Sequence, residues 1–240
     1  EIYQRVLKIR REKGNKARIA ETLNKIGQAY TNVGENDKAN PILQEALTIY
    51  RELKDRKGEG ESLYYIGFMY AGKSQYNKAL EVLQEALAIH REVKDRKSEA
   101  KTLRKIGAIR GSDLGKHAEG IKLLQQALKI QEEIGDDYQA SVTLMNMGYT
   151  YYSSKDYPRA IEFLEKAQVS SRKANNPIAE VLSLRLLAFV YSDQGINKGF
   201  THFKIPKWKR NSKKPPHPKW IYDLNRTKAG DKYLPLIPDL

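Results

Sequence analysis

The chain contains no cysteine, which excludes disulfides and thiolate metal sites and fits a reducing, cytoplasmic compartment. Histidine is scarce. His90, His117, His202 and His217 have no spacing that would put two metal ligands on one helical face. No apolar run approaches the roughly 18–20 residues that a membrane-spanning helix needs, and no secretory signal opens the chain. Gly58 and Gly60 fall in a charged segment expected to be an interhelical turn. GSDLGK lacks the spacing and the flanking strand of a phosphate loop. No nucleophile is set beside a base and an orienting group. With no motif for catalysis, a cofactor or a metal, the expectation is a binding protein, not an enzyme.

Positive charge, by contrast, is plentiful and unevenly placed. The net charge is +14, and from Lys198 onward eleven Lys or Arg stand against three Asp. The basic character therefore belongs mainly to the tail. The rest of the chain repeats itself. IYRELKDRKGEGESL at 49–63 returns forty positions later as IHREVKDRKSEAKTL, with nine of fifteen residues identical. A period near forty means one supersecondary unit built again and again, each burying its apolar face on its neighbours. The dense Glu and Lys of such segments are expected to be solvated faces, each favourable pair adding a few tenths of a kcal/mol. His90, which aligns with Tyr50, is expected to lie at the surface.

Within each unit two apolar patterns of helical period flank a short polar turn. Leu63, Ile66, Gly67 and Tyr70 share one face, and Ala79, Leu83 and Ala86 follow on a second helix. The register recurs as Leu23, Ile26, Gly27, Tyr30, Ala39, Leu43 and Ala46, and again as Leu144, Met147, Gly148, Tyr151, Ala160, Leu164 and Ala167. Small residues let helix backbones approach while large ones fill the space beside them. This order strongly resembles the tetratricopeptide repeat, in the long variety found in kinesin light chains, Leu-Gly-Asn-rich mitotic adaptors and bacterial signalling arrays. The resemblance implies an all-α, right-handed α-solenoid of stacked helix pairs over residues 1–195: a half unit, four full units and a half unit. Glu1 falls inside the first helical pattern, so the chain is expected to be a piece of a longer protein. The third unit departs from the pattern. Arg110 replaces the tyrosine, Gly120 replaces the alanine and one residue is inserted in GSDLGK, so the weakest stacking contact is expected there.

In the resemblance, first helices line a concave groove, and residues beside the glycine point into it. Carried over by position, the partner-binding set is Asn24, Lys25, Gln28, Tyr64, Tyr65, Phe68, Arg104, Lys105, Met145, Asn146, Tyr149, Arg185 and Phe189. Along the same surface Lys25, Lys101, Arg104, Lys105 and Arg185 outweigh Glu21 and Glu61. A basic surface with aromatic patches suits a protein or peptide partner of acidic character, and the resemblance implies a protein-interaction scaffold, the sensing arm of a larger signalling protein.

After Gly195 the periodicity stops. Pro206, Pro215, Pro216 and Pro218 forbid a long helix over 196–240, and this basic tail is expected to be poorly ordered. KWKRNSKKPPHPKW sets six Lys or Arg around Trp208 and Trp220. That composition suits a linker, an anionic membrane surface, or phosphates and stacked bases. A nucleic-acid-associated protein is thus the alternative reading.

Overall fold

The computed structural model describes residues 2–194. The expected tail, 196–240, lies outside the described residues. Ten α-helices follow in order: α1 (Ile2–Glu12), α2 (Lys16–Asn32), α3 (Asn36–Glu52), α4 (Arg56–Gly72), α5 (Tyr76–Glu92), α6 (Arg96–Ala108), α7 (His117–Glu133), α8 (Asp137–Ser153), α9 (Tyr157–Lys173) and α10 (Pro177–Asp193). A π-helical turn, Ile109–Asp113, continues α6. Among the described residues there is no strand. The helices stack in pairs, α2 on α3, α4 on α5, α6 on α7 and α8 on α9, as the repeat register requires.

The turns keep the same beat as the sequence. A left-handed residue ends the helix at Gly14, Gly34, Lys54, Ser74, Lys94, Gly115, Gly135, Lys155 and Asn175, twenty residues apart except for twenty-one between Lys94 and Gly115. A residue of this conformation after the last turn satisfies the final carbonyls of a helix. The side chains of Asn15, Asp55, Asp95 and Asp136 then accept from the backbone N–H three residues on, a cap worth about 1 kcal/mol each.

Inside each pair, a glycine of the first helix receives a leucine of the second. A Cβ on Gly67 would lie 2.6 Å from Leu83 Cγ, and one on Gly148 would lie 2.6 Å from Leu164 Cγ. The triplets Ala39–Leu43–Ala46, Ala79–Leu83–Ala86 and Ala160–Leu164–Ala167 are fully buried. Each buried leucine contributes roughly 1.5–3 kcal/mol. Gly58 and Gly60 are not in a turn, contrary to the sequence expectation. They belong to the first part of α4 and are buried, because Tyr50 and His90 fill the space over them: a Cβ on Gly58 would meet the Tyr50 ring at 2.2 Å.

The third pair absorbs its inserted residue in the π-turn. Leu114 N–H reaches back to Ile109 carbonyl at 3.0 Å, five residues earlier, and the spacing of twenty resumes downstream. At Gly120, in the unit where the weakest stacking contact is expected, two backbones come close. A Cβ there would lie 2.3 Å from Gly111 Cα and 2.7 Å from Gly107 carbonyl oxygen.

Polar contacts bridge successive pairs at one recurring position. Arg10 donates to Thr22 (2.6 Å), His90 pairs with Thr102 (3.1 Å) and Thr143 donates to Gln131 (2.7 Å). His90 is buried, not at the surface, because its position packs against the next first helix. Thr102 Oγ1 also lies within hydrogen-bond distance of the Ser98 carbonyl at 2.8 Å. Burial, above all, holds the His90 pKa below the ordinary imidazole value.

Glu59 and Glu99 also depart from the expectation of solvated charge. Both are buried, each clamped by two arginines: Arg51 (2.8 Å) and Arg56 (2.6 Å) on Glu59, Arg91 (3.0 Å) and Arg96 (2.7 Å) on Glu99. Burial alone would raise the Glu59 pKa. Hydrogen bonds from Arg51 and Arg56 outweigh it and hold the carboxyl below its usual value. A depressed carboxylate stabilises the fold above its unfolded pKa, and that contribution disappears as pH falls through the folded value. The chain is therefore expected to lose stability on acidification below about 4, and Glu59→Gln to lose less. Urea unfolding of both at neutral and acid pH reads the difference, and equal losses would contradict the clamp.

Candidate functional site

The first helices are neighbours across the array: α2 packs on α4, α4 on α6, and α6 on α8. Their glycine stripe faces the second helices, which leaves one further face for the residues beside each glycine. On α4 that face carries Tyr64, Tyr65 and Phe68, and on α6 Lys101, Arg104 and Lys105. These six form one cluster. Tyr64 and Tyr65 meet edge to face with centroids 5.2 Å apart, and Tyr64 lies parallel to Phe68 at 6.4 Å. Lys101 Nζ sits 4.1 Å from the Tyr64 centroid and 4.5 Å from that of Tyr65, and donates to Tyr65 Oη at 3.1 Å. Lys105 Nζ sits 4.1 Å over Phe68.

Burial changes the role of the two tyrosines. Tyr64 is 6% exposed and Tyr65 4%, so they are a floor, and not side chains projecting into an open groove as the sequence suggested. The reason is the neighbouring unit: α6 sets the Lys101 ammonium over both rings. The half-buried cations Lys101, Arg104 and Lys105 lie beside them. Lys101 and Lys105 each have a pKa pushed down to about 8, chiefly by burial. For Lys101 the charges of Arg104 and Lys97 push the same way while Glu61 opposes. For Lys105 Arg104 adds and Asp113 opposes. Arg104 donates to Gln139 of α8 at 3.1 Å, and its buried Nε has no partner among the described residues.

The remaining sequence candidates do not join this cluster. Asn24 is buried and accepts from Ser62 at 2.8 Å, with its Nδ2 unpartnered. Lys25 is exposed and paired with Glu21 at 2.7 Å, while Gln28 is half-buried. On α8, Met145 and Asn146 are half-buried, and the exposed Tyr149 stands 6.3 Å from Tyr152. On α10 the Arg185 guanidinium lies 5.4 Å over Phe189. Lys101 and Gln139 are the residues that the positional carry-over left out of its set. Lys101 already stood on the basic surface read from the sequence, one helical turn before Lys105 on the same face. Nothing in the sequence marked Gln139 as the acceptor for Arg104.

Among the described residues no group of three or more His, Asp and Glu is placed to hold a metal ion, and no helix is long and apolar enough to cross a membrane. Models of the tetratricopeptide repeat match residues 98–168 in one case and 19–53 with 61–93 in another, together more than half of the chain. The chain belongs to the tetratricopeptide repeat family. As such it is a protein-interaction scaffold in architecture, built of paired helices with a shared face between units. No curated protein matches it. Among solved structures, BtubC (BKLC) from P. vanneervenii superposes with a TM-score of 0.68 at 20% identity, covering 81% of this chain and 82% of that one. A signal transduction ATPase with numerous domains from Pyrococcus horikoshii, which carries a tetratricopeptide repeat sensor, gives 0.66 at 21% identity. That match covers 80% of this chain, which spans 30% of the ATPase. Kinesin light chain nearly identical repeats from Podosopora anserina give 0.59 at 17% identity, covering 76% and 90%. At these identities the likeness carries the fold alone.

Proposed function

We propose that these repeats hold an acidic peptide or helix of a partner protein against the face formed by α4, α6 and α8, as the sensing arm of a larger signalling protein. The observation that carries the reading is the pair of lysines seated on aromatic rings. An ammonium held partly out of water is costly; Glu61 and Asp113 act on Lys101 and Lys105 without forming an ion pair among the described residues, and a ring face compensates by only about 0.5–2 kcal/mol. An incoming carboxylate meets Lys101 or Lys105 with a charge-assisted hydrogen bond, and the Arg104 guanidinium adds positive charge beside them. The spacing of Lys101 and Lys105 by one helical turn matches two acidic residues on one side of a peptide. The sensor repeats of the Pyrococcus ATPase support the placement in a larger protein.

Selection from a displayed peptide library is the test. Recovered sequences are expected to be rich in Asp and Glu, with affinity that weakens mildly in salt. Enrichment of basic or neutral sequences would contradict the reading. A pH dependence follows as well. With the folded pKa lowered to about 8, the ammonium fraction falls as pH rises through that value, where an ordinary lysine stays charged. Affinity for a selected acidic peptide is therefore expected to drop across this range. Replacing both lysines by arginine, which stays protonated, should flatten the profile, and fluorescence anisotropy at several pH values reads both.

A further inference from the structure

The third repeat carries a cleft that its siblings fill. In the first and fourth repeats a tyrosine ring closes the outer groove between second helices, and a cation of the following helix lies over it: Lys38 at 5.8 Å from the Tyr30 centroid, the Arg159 guanidinium at 4.8 Å from that of Tyr151. In the fourth repeat Phe163 stacks on Tyr151 at 5.3 Å. At the matching positions of the third repeat stand Arg110 in place of the ring, Glu119 in place of the cation and Leu123 in place of Phe163. Arg110 and Glu119 pair at 2.7 Å. The missing rings leave a cleft of about 400 Å³ between α5, α6 and α7, floored by Leu87, Ile106 and Leu123.

We propose that this cleft is a second docking site, which takes an aromatic side chain flanked by a carboxylate from a protein partner. The chain itself shows what fits: at the equivalent place in the fourth repeat, Tyr151 and Phe163 occupy the space with cations above them. The volume is within the range of roughly 300–1,000 Å³ typical of ligand pockets, and the apolar floor is suited to a ring. Charge selects the flanking group. Arg110 and Lys122 outweigh Glu119, and Lys122 has no ion pair among the described residues. The site is on the second-helix side and shares no residue with the Lys101–Lys105 cluster.

The test is an amide chemical-shift titration of the full chain with acetyl-Glu-Phe-Glu-amide. Saturable shifts are expected at Leu87, Ile106 and Leu123. Acetyl-Glu-Ala-Glu-amide and acetyl-Lys-Phe-Lys-amide should bind about tenfold more weakly or worse, a step of one decade in Kd. Arg110→Tyr, which restores the ring of the other repeats, is expected to abolish the shifts and raise the melting temperature. Lys122→Glu should weaken the acidic probe and improve the basic one. Replacing Lys101 and Lys105 by alanine should leave this titration unchanged, so failure here and failure of the groove reading are separable. Undiminished binding by Arg110→Tyr, shifts confined to α4 and α6, or a dimer that Arg110→Tyr dissolves would each overturn the proposal.

Discussion

Replacing Gly120 by leucine is expected to be the most damaging single change in the array, costing about 3 kcal/mol or more through overpacking. The usual arithmetic of a helical glycine points the other way, since even Gly→Ala in a helix interior gains up to about 1 kcal/mol of propensity. At Gly120 the new carbon would meet backbone, with Gly111 Cα at 2.3 Å and Gly111 N at 2.5 Å. Backbone cannot rotate aside, so α7 must move away from α6 and the π-turn. Gly67→Leu meets the Leu83 side chain instead, with the Ala79 carbonyl oxygen at 3.3 Å, and should cost about 1–3 kcal/mol. By contrast Gly34 has open space around its Cβ position, and a substitution there meets only the strain of its left-handed backbone. Urea denaturation of the three variants orders them. A Gly120→Leu variant as stable as the parent would contradict the close approach of these helices.

Removing both ring-seated lysines should have the largest effect on binding. Lys101→Ala with Lys105→Ala is expected to weaken a selected acidic peptide by about a hundredfold, two charge-assisted contacts of roughly 1.4 kcal/mol or more each. The helical content should be unchanged, because Leu103, Ile106 and Gly107 carry the packing of α6. Tyr65→Ala is a poorer probe, since it opens a cavity beneath Lys101 and mixes stability with affinity. An affinity loss below about threefold in the double variant would remove these cations from the site.

The helices, their pairing and the glycine–leucine fit were legible in the sequence because they are properties of one unit, and the unit is written several times. What escaped were properties of one unit against the next. Tyr64 and Tyr65 looked free because the side chain that covers both belongs to the next repeat. Their cover is Lys101, thirty-six residues further on for Tyr65, and its placement depends on the angle between units. His90 looked like a surface position for the same reason, and Gly58 and Gly60 are small because Tyr50 and His90 need the room. The insertion near GSDLGK was visible, but its absorption into a π-turn depends on which carbonyl Leu114 reaches. The loss of tyrosine at Arg110 was equally plain. Its compensation by Glu119, and the cleft that results, required both helices in place.

Hydrogen–deuterium exchange of the chain with and without a selected acidic peptide tests the central claim most directly, because it locates the contact without presupposing it. Protection is expected along α4, α6 and the start of α8, where Lys101, Arg104, Lys105 and Gln139 lie, with little change in α3, α5 and α9. Protection confined to the second helices, or spread evenly over every repeat, would contradict the assignment of the binding face to the lysine-capped aromatic cluster.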